Sequence, residues 1–226
     1  EGGRQYRYYG LKGNGYTLAM AGDYVRLEAP LIGSGTRATA ADAFAAAISE
    51  NPLLWANAKI FVKAISADIS IPATPVQGAA NLGGSEVNLS TRILDYSLVW
   101  NGNLNEALGY RAGSAVRQNL QAGRRSGAVK LSVEVDAATE AAELDYYLNQ
   151  SKVAVELNID SGTIIAATGA FKFGMILIIP QVQFKPLAKA TEGEYEKLDF
   201  EGTIMDDETN SEVVAWVYNA QATYLA

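Results

Sequence analysis

The strongest constraint on the fold of this chain is an alternation of apolar and polar residues with a period of two. In Val129–Val135, every second residue is apolar and the residues between are Lys, Ser and Glu. Successive side chains of a strand point to opposite faces of a sheet, so this pattern predicts a half-buried strand. Val133 and Leu157 lie mid-strand on the apolar side, and we expect both to be buried. The same alternation predicts strands over 87–100, 153–159, 198–204 and 213–224.

Turn signals separate these segments and favour antiparallel pairing. Asn101-Gly102 closes the 87–100 segment, and Asp160-Ser161-Gly162 is expected to form the turn after the 153–159 segment. The most apolar stretch, Ile164–Pro180, is interrupted by Lys172 and Gly174 and is too short for a membrane span, so we expect buried strands there. Antiparallel strands joined by turns are the natural assembly of such a series.

Two segments have the spacing of amphipathic helices instead. Ala38–Glu50 is alanine-rich, begins with a pattern similar to a capping box and stops before Pro52. Asp136–Gln150 starts with an N-cap aspartate and sets apolar residues at helical spacing. We expect each helix to cover one face of a sheet.

The remaining stretches are poor in periodicity. We predict a single domain over residues 1–226, with long arms at 1–37, 72–86 and 103–127. The first ten residues are rich in tyrosine and glycine and do not have the pattern of a signal peptide. The predicted fold is therefore mainly β: an antiparallel β-sandwich or partial barrel with one or two flanking α-helices and long extended loops.

Composition restricts the chemistry. The chain has no cysteine and no histidine, which excludes thiolate sites, histidine ligands and every triad that uses either residue. The formal net charge of −7 has the wrong sign for a protein that grips nucleic acid through its phosphates. We therefore expect no enzyme activity, no cofactor and no essential metal.

Three features of the sequence partly match known binding or catalytic motifs, and none is predicted to be a site. Gly33-Ser34-Gly35 lacks the third glycine of a dinucleotide fingerprint and the lysine of a P-loop. The acidic tip Asp206–Asn210 has oxygen ligands for calcium but not the spacing of an EF-hand loop, so a solvated tip is favoured. Carboxylate pairs that hydrolyse glycosides need a cleft, and the acids here fall on turns and strand exteriors.

Charge is segregated along the chain. Residues 103–130 contain five basic residues and one acid, whereas residues 192–212 contain nine acids and one lysine. Two solvated faces would explain this, and so would subunits that dock head to tail through opposite charges. The candidate interface residues are Arg111, Arg117, Arg124, Arg125, Glu192, Glu194, Glu196, Asp206, Asp207 and Glu208.

The order of strands and turns over roughly Val87–Ala226 resembles the tail tube proteins of long-tailed bacteriophages. The resemblance lies in the segments VNLSTRILDYSLVWNGNLNEALGYRAGS, RRSGAVKLSVEVDAATEAAELDYYLNQSKVAVELNIDSG and IIPQVQFKPLAKATEGEYEKLDFEGTIMDDETNSEVVAWVYNA. In that family a Leu-Asp-Tyr-Ser-Leu strand leads through an Asn-rich turn and a long loop to a second strand, an acidic helix and a third strand. The Ala38–Glu50 helix and the Pro-rich arm match the family only loosely.

The resemblance implies a structural virion protein that assembles with itself. Six copies would form a ring by joining sheets side by side, and rings stacked head to tail would form the tube through which the genome passes. Its other partners would be the tail terminator, baseplate and tape measure proteins, with no membrane, in a virion tail assembled in the host cytoplasm. The acidic composition agrees with this, because a negative lumen repels DNA phosphates and lets DNA pass without specific binding.

Two other classes of protein remain open from the sequence. One is another virion component of the same fold, such as a terminator, a baseplate hub or a head decoration. The other is a secreted β-sandwich that binds a carbohydrate or a host protein.

Overall fold

The computed structural model describes residues 6–8, 12–33, 37–39, 52–65, 69–105, 121–135, 152–166, 170–185, 189–192, 195–206 and 209–219. The chain divides into two compact units. The first comprises Glu1–Thr17, Leu27–Glu50 and Val99–Ser126, and the second comprises Leu18–Arg26, Asn51–Leu98 and Gly127–Ala226.

The described residues are mainly strand. The strands are β1 (Tyr6–Tyr8), β2 (Lys12–Gly13), β3 (Gly15–Ala21), β4 (Tyr24–Glu28), β5 (Leu31–Ile32), β6 (Arg37–Thr39), β7 (Lys59–Ile65), β8 (Val87–Asn88), β9 (Ile93–Asn101), β10 (Leu104–Asn105), β11 (Gln121–Ala122), β12 (Ser126–Glu134), β13 (Lys152–Ile164), β14 (Lys172–Lys185), β15 (Lys189–Glu192), β16 (Tyr195–Ile204) and β17 (Val214–Tyr218). Among these residues the only helical element is a 3-10 turn, Trp55–Asn57. The mainly β prediction is confirmed.

The largest sheet of the described residues is open. Its strand order is β4-β3-β9-β12-β16-β14-β13-β7-β8, with β15 added beside β16 and β17 added beside β14. The pairings of β12 with β16, β14 with β16, β13 with β14 and β7 with β13 are all antiparallel. The sheet does not close on itself, which agrees with the predicted partial barrel.

The predicted alternation holds in β12 and β16. Val129, Leu131 and Val133 of β12 are buried, and Lys130 between them is exposed. Leu131 lies opposite Phe200 of β16 in the register. Burial of each of these apolar side chains contributes roughly 1.5–3 kcal/mol to the free energy of unfolding. Val133 and Leu157 are both fully buried, as predicted.

Strand β13 differs from the prediction because both of its faces are buried. Residues 153–161 are all buried, including Glu156 and Asn158 on the face expected to be solvated. That face is covered by residues 69–84, here called the cover segment. Ile69 and Leu82 of this segment pack with Phe61, Ala154, Ile176 and Ile178 in one buried cluster.

The predicted turn at Asp160-Ser161-Gly162 is wrong. The chain continues as β13 to Ile164, with an irregularity in the pairing between Asp160 and Ile164. Asp160 Oδ1 accepts a hydrogen bond from the Gly162 N–H at 2.7 Å, and Ser161 Oγ accepts one from Thr163. Such local bonds are typical of turns but also fit a β-bulge, which is why the sequence was misleading.

The 87–100 segment is two strands rather than one. β8 pairs with β7, and β9 lies between β3 and β12. A turn separates β8 from β9, closed by bonds from the N–H groups of Arg92 and Ile93 to the Leu89 carbonyl. The apolar alternation continues through this turn because Leu89 is itself buried.

Pro180 does not end its strand. β14 runs from Lys172 to Lys185, and the pairing with β13 shifts register between Val153 and Val155, opposite Pro180. Because proline donates no backbone hydrogen bond, a bulge is one of the few places in a sheet interior where it fits.

The first unit holds three small antiparallel pairs, β1 with β6, β2 with β5 and β10 with β11. Ala38 and Thr39, expected to begin a helix, lie in β6, where Ala38 pairs with Arg7. The rest of that predicted helix and the whole of Asp136–Gln150 lie outside the described residues. The single domain and its arms stay predictions, although strands β2–β5 occupy part of the stretch at 1–37.

Candidate functional site

A pocket of about 580 Å³, lined by both polar and apolar residues, opens in the second unit. It forms where four chain segments meet: the 3-10 turn with the start of β7, the cover segment, the turn between β8 and β9, and the bulge of β13 beside the start of β14. Its described lining residues are Ala56, Asn57, Ala58, Lys59, Gln77, Gly78, Ser90, Thr91, Asp160, Ala170 and Lys172.

Asp160 and Lys172 form an ion pair at the pocket wall. The Lys172 ammonium lies 3.4 Å from Asp160 Oδ2, with 13% of the aspartate side chain and 43% of the lysine side chain exposed. The backbone carbonyl of Asp160 accepts bonds from Asn57 Nδ2 and from the Leu54 N–H. Asp160 is therefore anchored through its backbone, and its carboxylate pairs with the more exposed Lys172 side chain.

Lys59 supplies the second cation. Its ammonium donates a 2.7 Å hydrogen bond to the Gly78 carbonyl. Gln77, next to Gly78, forms two 2.9 Å hydrogen bonds with the backbone of Lys172. Its side-chain oxygen accepts one from the Lys172 N–H, and its side-chain amide donates the other to the Lys172 carbonyl. The cover segment is thus tied to β7 and to β14 at the pocket.

A buried polar cluster lies beneath the cover segment. Both Glu156 carboxylate oxygens accept 2.7 Å bonds from Asn81, one from its backbone N–H and one from its side-chain amide. Asn158, two residues along the same face of β13, accepts a bond from the Gly78 N–H and donates to the carbonyls of Val76 and Ala79. Burial raises the pKa of Glu156, an effect that the Asn81 bonds oppose.

An aromatic cluster in the first unit surrounds Trp100. The ring of Tyr16 stacks on it at 5.9 Å, and the Arg125 guanidinium lies 5.6 Å from its centroid. Burial raises the pKa of Tyr16 to about 12. A guanidinium over an indole face is a favourable cation–π arrangement, so part of the predicted basic surface packs on its own unit.

The predicted interface residues are only partly described. Arg124 and Arg125 are exposed in the first unit, and Asp206 is exposed in the second. Glu192 ends β15 and Glu196 lies in β16, so both belong to one hairpin in which Glu192 pairs with Tyr195. The other five candidates lie outside the described ranges: Arg111, Arg117, Glu194, Asp207 and Glu208. Pairing between the basic and acidic residues stays a prediction.

The sequence did not predict the pocket. Lys59 and Lys172 are separated by more than one hundred residues, and neither belongs to a motif. The available signal was Lys172, the one charge in the most apolar stretch of the chain. In the Gly33-Ser34-Gly35 motif only Gly33 is described, and the acidic tip is described only at Asp206, Thr209 and Asn210.

Within the described ranges, no group of three or more Asp and Glu residues is placed to hold a metal ion. The described residues also contain no helix long and apolar enough to cross a membrane. No protein-family model matches the chain, and no curated protein matches it.

Proposed function

We propose that this chain is a structural virion protein, the subunit of stacked hexameric rings that form the tail tube of a long-tailed bacteriophage. The sequence resemblance over Val87–Ala226 motivates the proposal. The observation that carries it in the fold is an open antiparallel sheet with an edge suited to extension by a second copy.

That edge is β17. Its five residues pair with β14 on one side, and no strand of the described residues pairs with the other side. Trp216 and Tyr218 pack towards the buried cluster, whereas Ala215 and Val217 are exposed. An edge strand with free backbone groups and an apolar outer face is a template for another chain.

Edge-to-edge addition is compatible with a ring. When one edge of a sheet meets a different edge of the next copy, the contact is heterologous. Repeated contacts of this kind close into a ring if the rotation between neighbouring copies is a whole-number fraction of a full turn. β4 and β8 are the two ends of the strand order, so the sheet offers more than one edge. Six copies per ring, stacking of the rings, the tail partners, the virion location and passage of DNA remain parts of the proposal.

The experiment compares two valine substitutions by sedimentation velocity. Val217→Asp places a charge on the β17 edge, and Val76→Asp places the same charge in the cover segment; the two side chains are 64% and 60% exposed. We expect wild type and V76D to form species of about 145 kDa, six copies of the 24.1-kDa chain, or larger. V217D should sediment mainly as a folded monomer. Wild-type protein that stays monomeric at every concentration contradicts the proposed function, and V217D that assembles like V76D contradicts the role of β17.

A further inference from the structure

We propose that the pocket between Lys59 and Lys172 binds a small molecule through an oxyanion group, a phosphate or a carboxylate. This site does not depend on the proposed assembly, because none of its described lining residues belongs to the β17 edge.

The charges of the lining favour an anion. Two ammonium groups and one carboxylate line the pocket, which leaves one positive charge in a protein whose net charge is −7. An ammonium carries three N–H donors. Lys59 uses one on the Gly78 carbonyl, and Lys172 directs its ammonium to Asp160 at 3.4–3.5 Å. Among the described residues, both ammonium groups therefore retain donors for a ligand.

The two lysines are held in place by their surroundings. The backbone of Lys172 is fixed by two hydrogen bonds with the Gln77 side chain, one donated and one accepted by Gln77, and the Lys59 ammonium is fixed by its bond to the Gly78 carbonyl. Gly78 has φ of 75°, and a Cβ added there would lie 3.4 Å from the Lys59 ammonium. A glycine at this position lets the backbone carbonyl reach the lysine and keeps the ammonium at the pocket wall.

The size of the pocket indicates a ligand larger than an inorganic ion. A volume of about 580 Å³ falls within the roughly 300–1,000 Å³ of small-molecule sites. The neighbouring Asn57 and Thr91 side chains add polar groups, while Ala56, Ala58 and Ala170 supply apolar contacts. The lysines would bind the charged group, and the remainder of the ligand would occupy the space between the alanines.

The test is a titration of the ¹⁵N-labelled full chain with inorganic phosphate, acetate and chloride at constant ionic strength, followed by amide chemical shifts. We expect saturable shifts at Lys59, Gly78 and Thr91 with a Kd of about 1–10 mM for phosphate, acetate or both. Shifts with phosphate alone identify a phosphate-bearing ligand, and shifts with acetate alone identify a carboxylate. Absent or non-saturating shifts, the same shifts with chloride, or shifts that map elsewhere overturn the proposal.

Matched variants test the lysines. Lys59→Met with Lys172→Met should weaken binding by at least about tenfold, because two charge-assisted contacts are lost. Lys130→Met, an exposed lysine on β12, should bind like wild type. Unchanged affinity in the double variant contradicts the proposal. If that variant does not fold, the wild-type shift map alone decides the outcome.

Discussion

At the scale of single residues, Gly15 is the described glycine at which an added Cβ would come closest to another atom. Its φ is 117°, and an added Cβ would lie 2.1 Å from the Trp100 carbonyl oxygen. Gly15→Ala should lower the free energy of unfolding by about 2–4 kcal/mol, from backbone strain and steric overlap together. Gly13→Ala, where nothing lies within 4 Å of the added carbon, should change it by less than about 0.5 kcal/mol. Urea denaturation measures both, and equal midpoints for the two variants would contradict a steric role for Gly15.

Glu156 makes stability depend on pH. Burial raises its folded-state pKa above the unfolded value of about 4.3, so between the two values the folded protein binds more protons than the unfolded chain. Its contribution is therefore greatest below the unfolded pKa and is lost as pH rises through the folded pKa. Glu156→Gln should flatten this fall in unfolding free energy as the pH rises above the unfolded pKa of Glu. Urea midpoints at a series of pH values measure the slope, and a slope equal to that of wild type would contradict the assignment.

At the scale of elements, Asn81 fastens the cover segment to β13. Asn81→Ala removes one of the two donors to the buried Glu156 carboxylate and the side-chain acceptor of the Val76 N–H. Leaving buried polar groups without partners should cost about 2–4 kcal/mol of unfolding free energy. Thr74→Ala, at an exposed residue of the same segment, should change stability by less than about 0.5 kcal/mol. Thermal or urea melts compare the two, and a mild effect of Asn81→Ala would mean that the segment is held mainly by apolar packing.

The strands were predictable where one face of the sheet is solvated. In β12 the buried valines and leucine alternate with an exposed Lys130, and the period of two is visible in the sequence. In β13 the alternation is equally clear, but Glu156 and Asn158 are buried because the cover segment supplies their hydrogen bonds. Burial of that kind depends on residues seventy-five or more positions away, so it cannot be predicted from local periodicity.

The short strands of the first third were not predicted for a related reason. β4 is largely exposed, with Tyr24 and Leu27 among its solvent-facing residues, so it lacks the apolar stripe that identifies a strand.

At the bulge of β13 and at Pro180, residues typical of turns and strand ends lie inside continuous strands. Pairing with the neighbouring strands keeps these residues in strands, and local propensity alone does not predict that pairing.

At the scale of the whole molecule, the pocket was not predictable because its residues come from four separate segments. Lys59, Gln77, Asp160 and Lys172 meet only after the cover segment has packed on the sheet. The segregation of charge, in contrast, is visible in the sequence, and its role in assembly depends on copies of the chain meeting one another.

Reversing the basic residues tests that role. Arg124→Glu with Arg125→Glu should shorten or abolish assemblies in low salt, because contacts with carboxylates of a neighbouring copy become repulsive. Each exposed pair contributes only about 0.2–1 kcal/mol, so the effect relies on repetition around a ring. Lys12→Glu with Lys130→Glu gives the same change of charge at exposed residues elsewhere and should assemble normally. Light scattering at several salt concentrations measures both, and normal assembly of the arginine variant would leave two solvated faces as the explanation of the charge pattern.

The most direct test of the proposed function is negative-stain electron microscopy of the purified wild-type chain at increasing concentration. The proposal predicts rings whose class averages have six-fold symmetry, or tubes made of such rings with an open lumen. A population of isolated 24.1-kDa particles at every concentration, with neither rings nor tubes, would contradict it.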